Sequence, residues 1–251
     1  VTDEVSDARR LQAVPDPPPD ALRTPPLVVA VPVRDRLDLT IGLHEQLISE
    51  AADAILFLDN GSVDDTGDWL AGLRDPRVAS ASLPGRTLTE MWNIAWGWAR
   101  QYHGPGAILC LLNNDVTLTP GTLNAMASVV AEDPRVGLVH PDQRFAAPHE
   151  WAGTMTETHG SARHHGLTGY CFALPVDLDH RIGGRFDEQF VWWCADDDIA
   201  WRTTDAGLLQ LRLDELGVSH INEATASAYP HLAQVKADDM ARLHAKYPGR
   251  W

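Results

Sequence analysis

The chain is poor in positive charge and in sulfur. Its 251 residues include 20 Lys and Arg against 35 Asp and Glu, a formal net charge of −15. So acidic a surface does not provide the basic footprint that displaces counterions from nucleic acid. Nor does it favour docking on anionic lipid by charge alone. It can still take a phosphate-rich ligand where a metal ion bridges the two. There are three cysteines, Cys110, Cys171 and Cys194, too few and too scattered for a disulfide framework or a zinc site. No apolar run is long enough to span a bilayer, and the first residues lack the apolar core of a signal peptide. The expectation is a cytoplasmic protein in a reducing compartment.

Hydrophobic residues make up 44% and charged residues 22% of the chain, ordinary for a globular protein. The length suits one large α/β domain or two small ones. The segment "VPDPPPDALRTPP" makes 1–26 a proline-rich arm. "LVVAVPV" (27–33), "AILFLD" (54–59) and "AILCLL" (107–112) are continuous apolar runs, as expected of strands covered on both faces. Shorter strands are expected at "RVAS" (77–80), "VGLV" (136–139), "GLTGYCFALP" (166–175) and "LLQLRL" (208–213). Between them, helices are expected from Asp35, after Asp64, from the capping box Thr87-x-x-Glu90, from Pro120, up to Gly183, and over 196–205. Residues 140–168 hold five histidines and little periodicity and are expected to form a long loop region. The end, 231–247, has the pattern of an amphipathic helix. Alternating strands and helices imply a mostly parallel sheet with helices on both faces, which binds ligands beyond the carboxyl ends of its strands.

Four constellations stand out. Asn113-Asn114-Asp115 ends the fourth strand, where hard oxygen ligands suit magnesium or manganese; Asn and Asp are also favoured turn residues. Asp59 ends the second strand ahead of an Asn60-Gly61 turn, and its carboxylate is expected to share a crevice with Asp115. Asp196-Asp197-Asp198 places carboxylates at a helix start, where the dipole favours them. Three in a row repel one another, and the repulsion can raise one pKa and create a base. Trp192 and Trp193 precede them as core packing or as a stacking platform for a sugar ring. His220, after the last strand, could serve as a metal ligand, with Asp115 as the available partner.

Taken in order, these segments resemble the family-two glycosyltransferases of GT-A fold. "LVVAVPVRDR", "LDNGSVDDT", "MWNIAWGWA", "LLNNDVTL", "TGYCFALP", "GGRFDEQFVWW", "ADDDIAWRTTDAG" and "VSH" follow one another from 27 to 220. Two departures are visible. Ala195 stands where the family has a Glu before its catalytic Asp, and Asn113 and Asn114 precede a single aspartate.

The resemblance implies a metal-dependent, inverting transfer from a nucleotide-sugar donor, a UDP-sugar above others, to an acceptor hydroxyl on a glycan, a lipid-linked glycan, a protein or another molecule. It implies donor contacts from Pro32, Val33, Arg34, Asp59, Arg86, Asn93 and Asn114. Asp115 and His220 would hold Mn2+ or Mg2+. Gly169, Trp192 and Trp193 would meet the acceptor. The base is Asp196, or Asp197 if the alignment shifts by one residue. Residues 27–140 would form the nucleotide-sugar half, 141–230 the acceptor and catalytic half, and 231–251 a helical tail. Two other readings are a non-catalytic sugar-nucleotide or glycan-binding module descended from such an enzyme, and a sugar-phosphate nucleotidyltransferase. The latter normally carries a glycine-rich basic loop where this chain has "VRDRLDLT".

Overall fold

The computed structural model describes residues 25–143, 149, 151–160, 166–167, 169–221 and 232–250. Except for Pro25 and Pro26, the proline-rich arm lies outside these residues. The first elements are β1 (Leu27–Val33), α1 (Leu37–Ser49), β2 (Ala54–Asp59), α2 (Thr66–Gly72), β3 (Val78–Ser82), α3 (Leu88–His103) and β4 (Ile108–Leu112). Then come β5 (Val116–Thr117), α4 (Thr122–Glu132), β6 (Val136–Pro141), β7 (Met155–Thr158), β8 (Cys171–Pro175) and α5 (Leu178–Ile182). The chain finishes with α6 (Ala195–Asp205), β9 (Leu209–Leu213), β10 (Ser219–His220) and α7 (Leu232–Lys246).

Eight strands form one sheet in the order β3-β2-β1-β4-β8-β6-β9-β7. Strands β3, β2, β1 and β4 are parallel, as are β6 and β9; β8 and β7 run the other way. The expected mainly parallel sheet is thus present, with a reversed strand wedged beside β4. Strand β7 corrects the expectation of a structureless 140–168. It pairs with β9 at the sheet edge, and its sequence "MTET" is too exposed and polar to show a buried period. Helix α1 starts at Leu37 rather than Asp35, because Asp35 and Arg36 take positive φ (55° and 59°) and make a turn first. Helix α4 starts at Thr122 rather than Pro120, behind Gly121 at φ 85°.

Alternation along the strands sorts the core into two layers. Val28, Ala30, Leu56, Leu58, Leu109 and Leu111 face α3, α6 and α7, where Trp92, Trp96, Trp98, Ile199 and Leu243 pack. Val29, Val31, Ile55, Phe57, Cys110 and Leu112 face α1 and α4, meeting Leu43, Leu47, Leu123, Met126 and Val130. Each buried Val, Leu, Ile, Phe or Met among them contributes about 1.5–3 kcal/mol by leaving water, which explains why the strands read as unbroken apolar runs. Trp96 stays compatible with the core because its Nε1–H donates to Val176 O at 2.7 Å. Helix α3 carries both bonds of the expected capping box between Thr87 and Glu90. At the far side, burial pushes the His140 imidazole down to about 4. Its Nδ1 lies 2.9 Å from Pro141 O, and a carbonyl only accepts, so Nδ1 carries the proton of the neutral ring. Among the described residues no helix is long and apolar enough to cross a membrane.

Candidate active site

A cleft of about 300 Å³ opens where β1 and β4 end. Its first wall is Pro32, Val33 and Arg34. The strained turn after them is tied to the loop after β2: the Asp35 N–H donates to Ser62 Oγ at 2.7 Å, and the Val63 N–H donates to Asp35 Oδ1 at 2.7 Å. Ser62 in turn donates its hydroxyl to Asp59 Oδ1 at 2.6 Å and its N–H at 2.9 Å. Asp59 therefore closes its own loop and does not line the cleft. The pleat explains this. Asp59 lies on the face of Ile55 and Phe57, whereas Asn60, one residue on, turns to the α3 side and does line it. The Asn60 amide also fixes the next loop, donating to Arg86 O at 2.8 Å and accepting from the Gly85 N–H at 3.0 Å.

The second wall comes from the end of β4. Asn113, Asn114 and Asp115 line the cleft with His220. Two very short strands hold this corner: β5 and β10 pair antiparallel with His220 opposite Val116, and the Ile221 N–H donates to Asp115 O at 3.1 Å. The His220 ring stacks on Tyr170, centroids 4.4 Å apart and planes 16° apart. Asn114 is buried and donates to Thr40 Oγ1 at 3.1 Å. Asp115 is 8% exposed. His220 Nε2 stands 3.1 Å from its Oδ1, close enough for an ion pair, but the angles do not make a hydrogen bond and Oδ1 accepts none. A buried carboxylate oxygen without a hydrogen bond is costly. Asp115 and His220 fit a divalent cation that completes its shell with phosphate oxygens and water. Among the described residues no group of three or more His, Cys, Asp and Glu is placed to hold a metal by itself.

The third wall is Gly169, Tyr170, Trp192, Trp193 and Asp196, facing Leu88, Met91 and Trp92 of α3. Helix α6 begins behind Cys194, which has φ 68°. That turn aims the Asp196 carboxylate at Gly169: a Cβ on Gly169 would sit 2.5 Å from Asp196 Oδ2, so any larger residue there would displace the carboxylate. Asp196 is crowded by protein yet reaches solvent through the cleft mouth. Desolvation raises its pKa above the usual carboxylate range, partly offset by the backbone N–H groups of Asp196, Asp197 and Gly169. Asp197 does not line the cleft. Asp198 is fully buried and accepts from Arg202 Nε at 2.8 Å and from the Tyr247 hydroxyl at 2.7 Å.

Two more expected donor contacts lie elsewhere. Arg86 pairs with Glu90 at 3.2 Å on the surface. The Asn93 amide is spent on Phe186 and Glu188, joining α3 to the 183–190 loop. Asn113, singled out with its two neighbours, does line the cleft; Asn60, Leu88, Met91 and Trp92 also line it and were not expected there. Asn60 adjoins Asp59, which was singled out, whereas the three from α3 read as plain core.

No protein-family model matches the chain, and no curated protein matches it. Solved structures do. The chain is similar to GalNAc-T7, crystallised with UDP, GalNAc and Mn2+: TM-score 0.63, 12% identity, over 80% of this chain and 44% of that one. It is similar to TarS residues 1–349 from S. aureus, with TM-score 0.58 and 13% identity over 89% of this chain and 72% of that one. It is also similar to the mannosyltransferase PcManGT of Pyrobaculum calidifontis, in complex with GDP-Man and Mn2+. There the TM-score is 0.57 and the identity 17%, over 92% of this chain and 66% of that one. The chain thus spans under half the length of GalNAc-T7 and about two thirds of PcManGT. The fold these likenesses share is GT-A, that of glycosyltransferases.

Proposed function

We propose that this GT-A chain is a metal-dependent inverting glycosyltransferase that moves a sugar from a nucleotide-sugar, a UDP-sugar above others, to an acceptor hydroxyl. The observation that carries the reading is convergence. Residues from 32 to 220 that the motif order singled out meet in one cleft, with Asp115 beside His220 on one wall and Asp196 on another. Solved neighbours holding UDP or GDP-Man with Mn2+ support the donor class and the ion.

Residues 27–140 would supply most of the donor side and 141–230 most of the acceptor side, with His220 crossing over to Asp115. Pro32, Val33, Arg34, Asn60 and Asn114 would surround the nucleotide. Two carboxylates in the cleft repel a bare diphosphate, so its binding there calls for a counter-charge. Asp115 and His220 would hold Mn2+ or Mg2+; when bound, the ion neutralises the diphosphate and stabilises the charge on the leaving group. Asp196 accepts the proton of the acceptor hydroxyl. The oxygen attacks the anomeric carbon opposite the diphosphate, and the glycosidic electron pair leaves on the nucleoside diphosphate. A raised pKa suits a base that must hold a proton in the transition state. Trp192 and Trp193 offer apolar faces for an acceptor ring.

The test is turnover of a panel of UDP- and GDP-sugars with Mn2+, read as released nucleoside diphosphate. Calorimetry of UDP with Mn2+ on the wild type and Asp115→Ala accompanies it. Asp115→Ala is expected to weaken that binding by at least ~10-fold, since losing even a hydrogen-bond partner of a metal ligand costs about that much. Equal affinities would reject Asp115 as a ligand. Affinity without turnover across the panel would make the chain a binding module.

A further inference from the structure

We infer that Asp239, on the C-terminal helix, is a positioning residue that sets the Trp192–Trp193 wall and, through it, the start of α6. The role given to that wall rests on the transferase reading; the anchoring itself does not.

Helix α7 buries Leu232, Asp239 and Leu243, which share one face by their spacing of seven and four. A carboxylate in that row, at 0% exposure, takes the place of an apolar side chain and must be compensated. The compensation comes from the cleft loop. The Val191 N–H donates to both Asp239 oxygens at 3.1 Å, and the Trp192 and Trp193 N–H groups donate to Oδ2 at 2.8 and 2.9 Å. Arg242 Nη1 donates to Oδ1 at 2.7 Å.

Three consecutive N–H groups converging on one anion form a concave backbone nest. Such loops usually receive a ligand; here the anion is part of the protein. Among the described residues the stretch pairs with no strand, and Val191 O accepts from the Leu88 N–H at 3.1 Å. The backbone held by these ties leads directly into the positive-φ residue Cys194 and then to Asp196. The helix side chains follow the same course: Lys236 Nζ lies 5.5 Å from the Trp193 ring centroid, and Met240 Sδ accepts from Cys194 Sγ at 3.5 Å.

The test uses Asp239→Asn and Asp239→Glu in the full chain. Asn keeps one acceptor oxygen and turns an NH2 group toward donors, whereas Glu keeps the charge and both oxygens. In Asp239→Asn the amides of Trp192 and Trp193 are expected to exchange with deuterium at least ~10-fold faster while β4 amides keep their protection. The wild-type minus Trp193→Phe circular dichroism isolates the coupled pair, whose centroids lie 6.3 Å apart at 49°. That signal should collapse in the Asp239→Asn background and return in part with Glu. Release of nucleoside diphosphate from the sugar-nucleotide panel should fall ~10-fold in kcat with the donor KM unchanged. The inference is overturned if the two amides stay protected, if protection falls equally in β4, or if the pair's signal survives. Freed amides with unchanged kcat also overturn the link to α6. If the wild type neither binds UDP with Mn2+ nor turns over any donor, the transferase reading fails. The amide and dichroism results still decide whether Asp239 is the anchor.

Discussion

The two sides of the cleft are held in different ways. The proposed donor side hangs on the ends of β1 and β4, whose backbones are locked by parallel pairing and whose side chains fill both core layers. The proposed acceptor side hangs on a loop and the first turn of α6. It is tied down by carboxylates: Asp239 on the loop backbone, Asp198 on Arg202, Tyr247 and Lys246, and Asp187 on Lys246. Apolar packing tolerates small errors in shape, whereas a buried charge with one partner removed does not. The donor side is thus set by many weak contacts, the acceptor side by a few strong ones, all converging on the terminal helix.

The sharpest break of this contrast is Asp196→Asn. It should cost about 10²–10⁴-fold in turnover while leaving UDP–Mn2+ affinity alone; if Asp197→Asn is the dead variant instead, the base is misassigned. The same substitution should raise the Tm at neutral pH. A carboxyl whose folded pKa lies above its unfolded value binds more protons when native. It therefore destabilises the fold as pH rises through that window, and an amide removes the penalty. By the same sign, turnover should fall on acidification through a pKa above the usual carboxylate range.

Next is Asp198→Ala. It removes the buried carboxylate shared by Arg202 and Lys246, leaving Arg202 to the Gly184 and Arg185 carbonyls and Lys246 to Asp187, and deprives the Tyr247 phenol, whose pKa is pushed up by burial and by Asp198, of its acceptor. Denaturant melts should show a loss of about 3–5 kcal/mol, with α7 exchanging before the sheet. On the donor side, Thr87→Ala removes one half of the α3 capping box and should cost about 1 kcal/mol. Arg86→Ala breaks only an exposed pair with Glu90 and should change stability by about 0.2–0.5 kcal/mol. Its UDP affinity should match the wild type, and a clear loss there would put Arg86 back among the donor contacts. If the Thr87 and Asp198 variants lose equal stability, the contrast between the two sides disappears.

Much of this was visible in the residues themselves. Strands β1 and β2 begin and end where their apolar runs do, because a strand buried on both faces has no polar position to blur its limits. The Thr87–Glu90 box marks its helix start because both partners lie within one turn. The Asp115–His220 corner was half visible: both residues were singled out, but the two-residue strands that join them are too short to carry a period. That Asp59 and Asn93 stay out of the cleft lining was not visible, because residue type says nothing about which way a side chain faces. Asp239 gave no signal, since an aspartate after Asp238 on an amphipathic helix reads as surface charge.

Local pattern by itself determined the alternating strands and helices, the two-faced core and the order of the chemistry-bearing segments, because these follow from periodicity and burial within a few residues. Only the folded chain decided which neighbour in each pair enters the cleft: Asn60 rather than Asp59, Asp196 rather than Asp197. It alone also decided that a distant helix carboxylate meets the 191–193 amides. Those choices depend on the phase of the pleat and on close approach between segments dozens of residues apart, and no short window of sequence contains either.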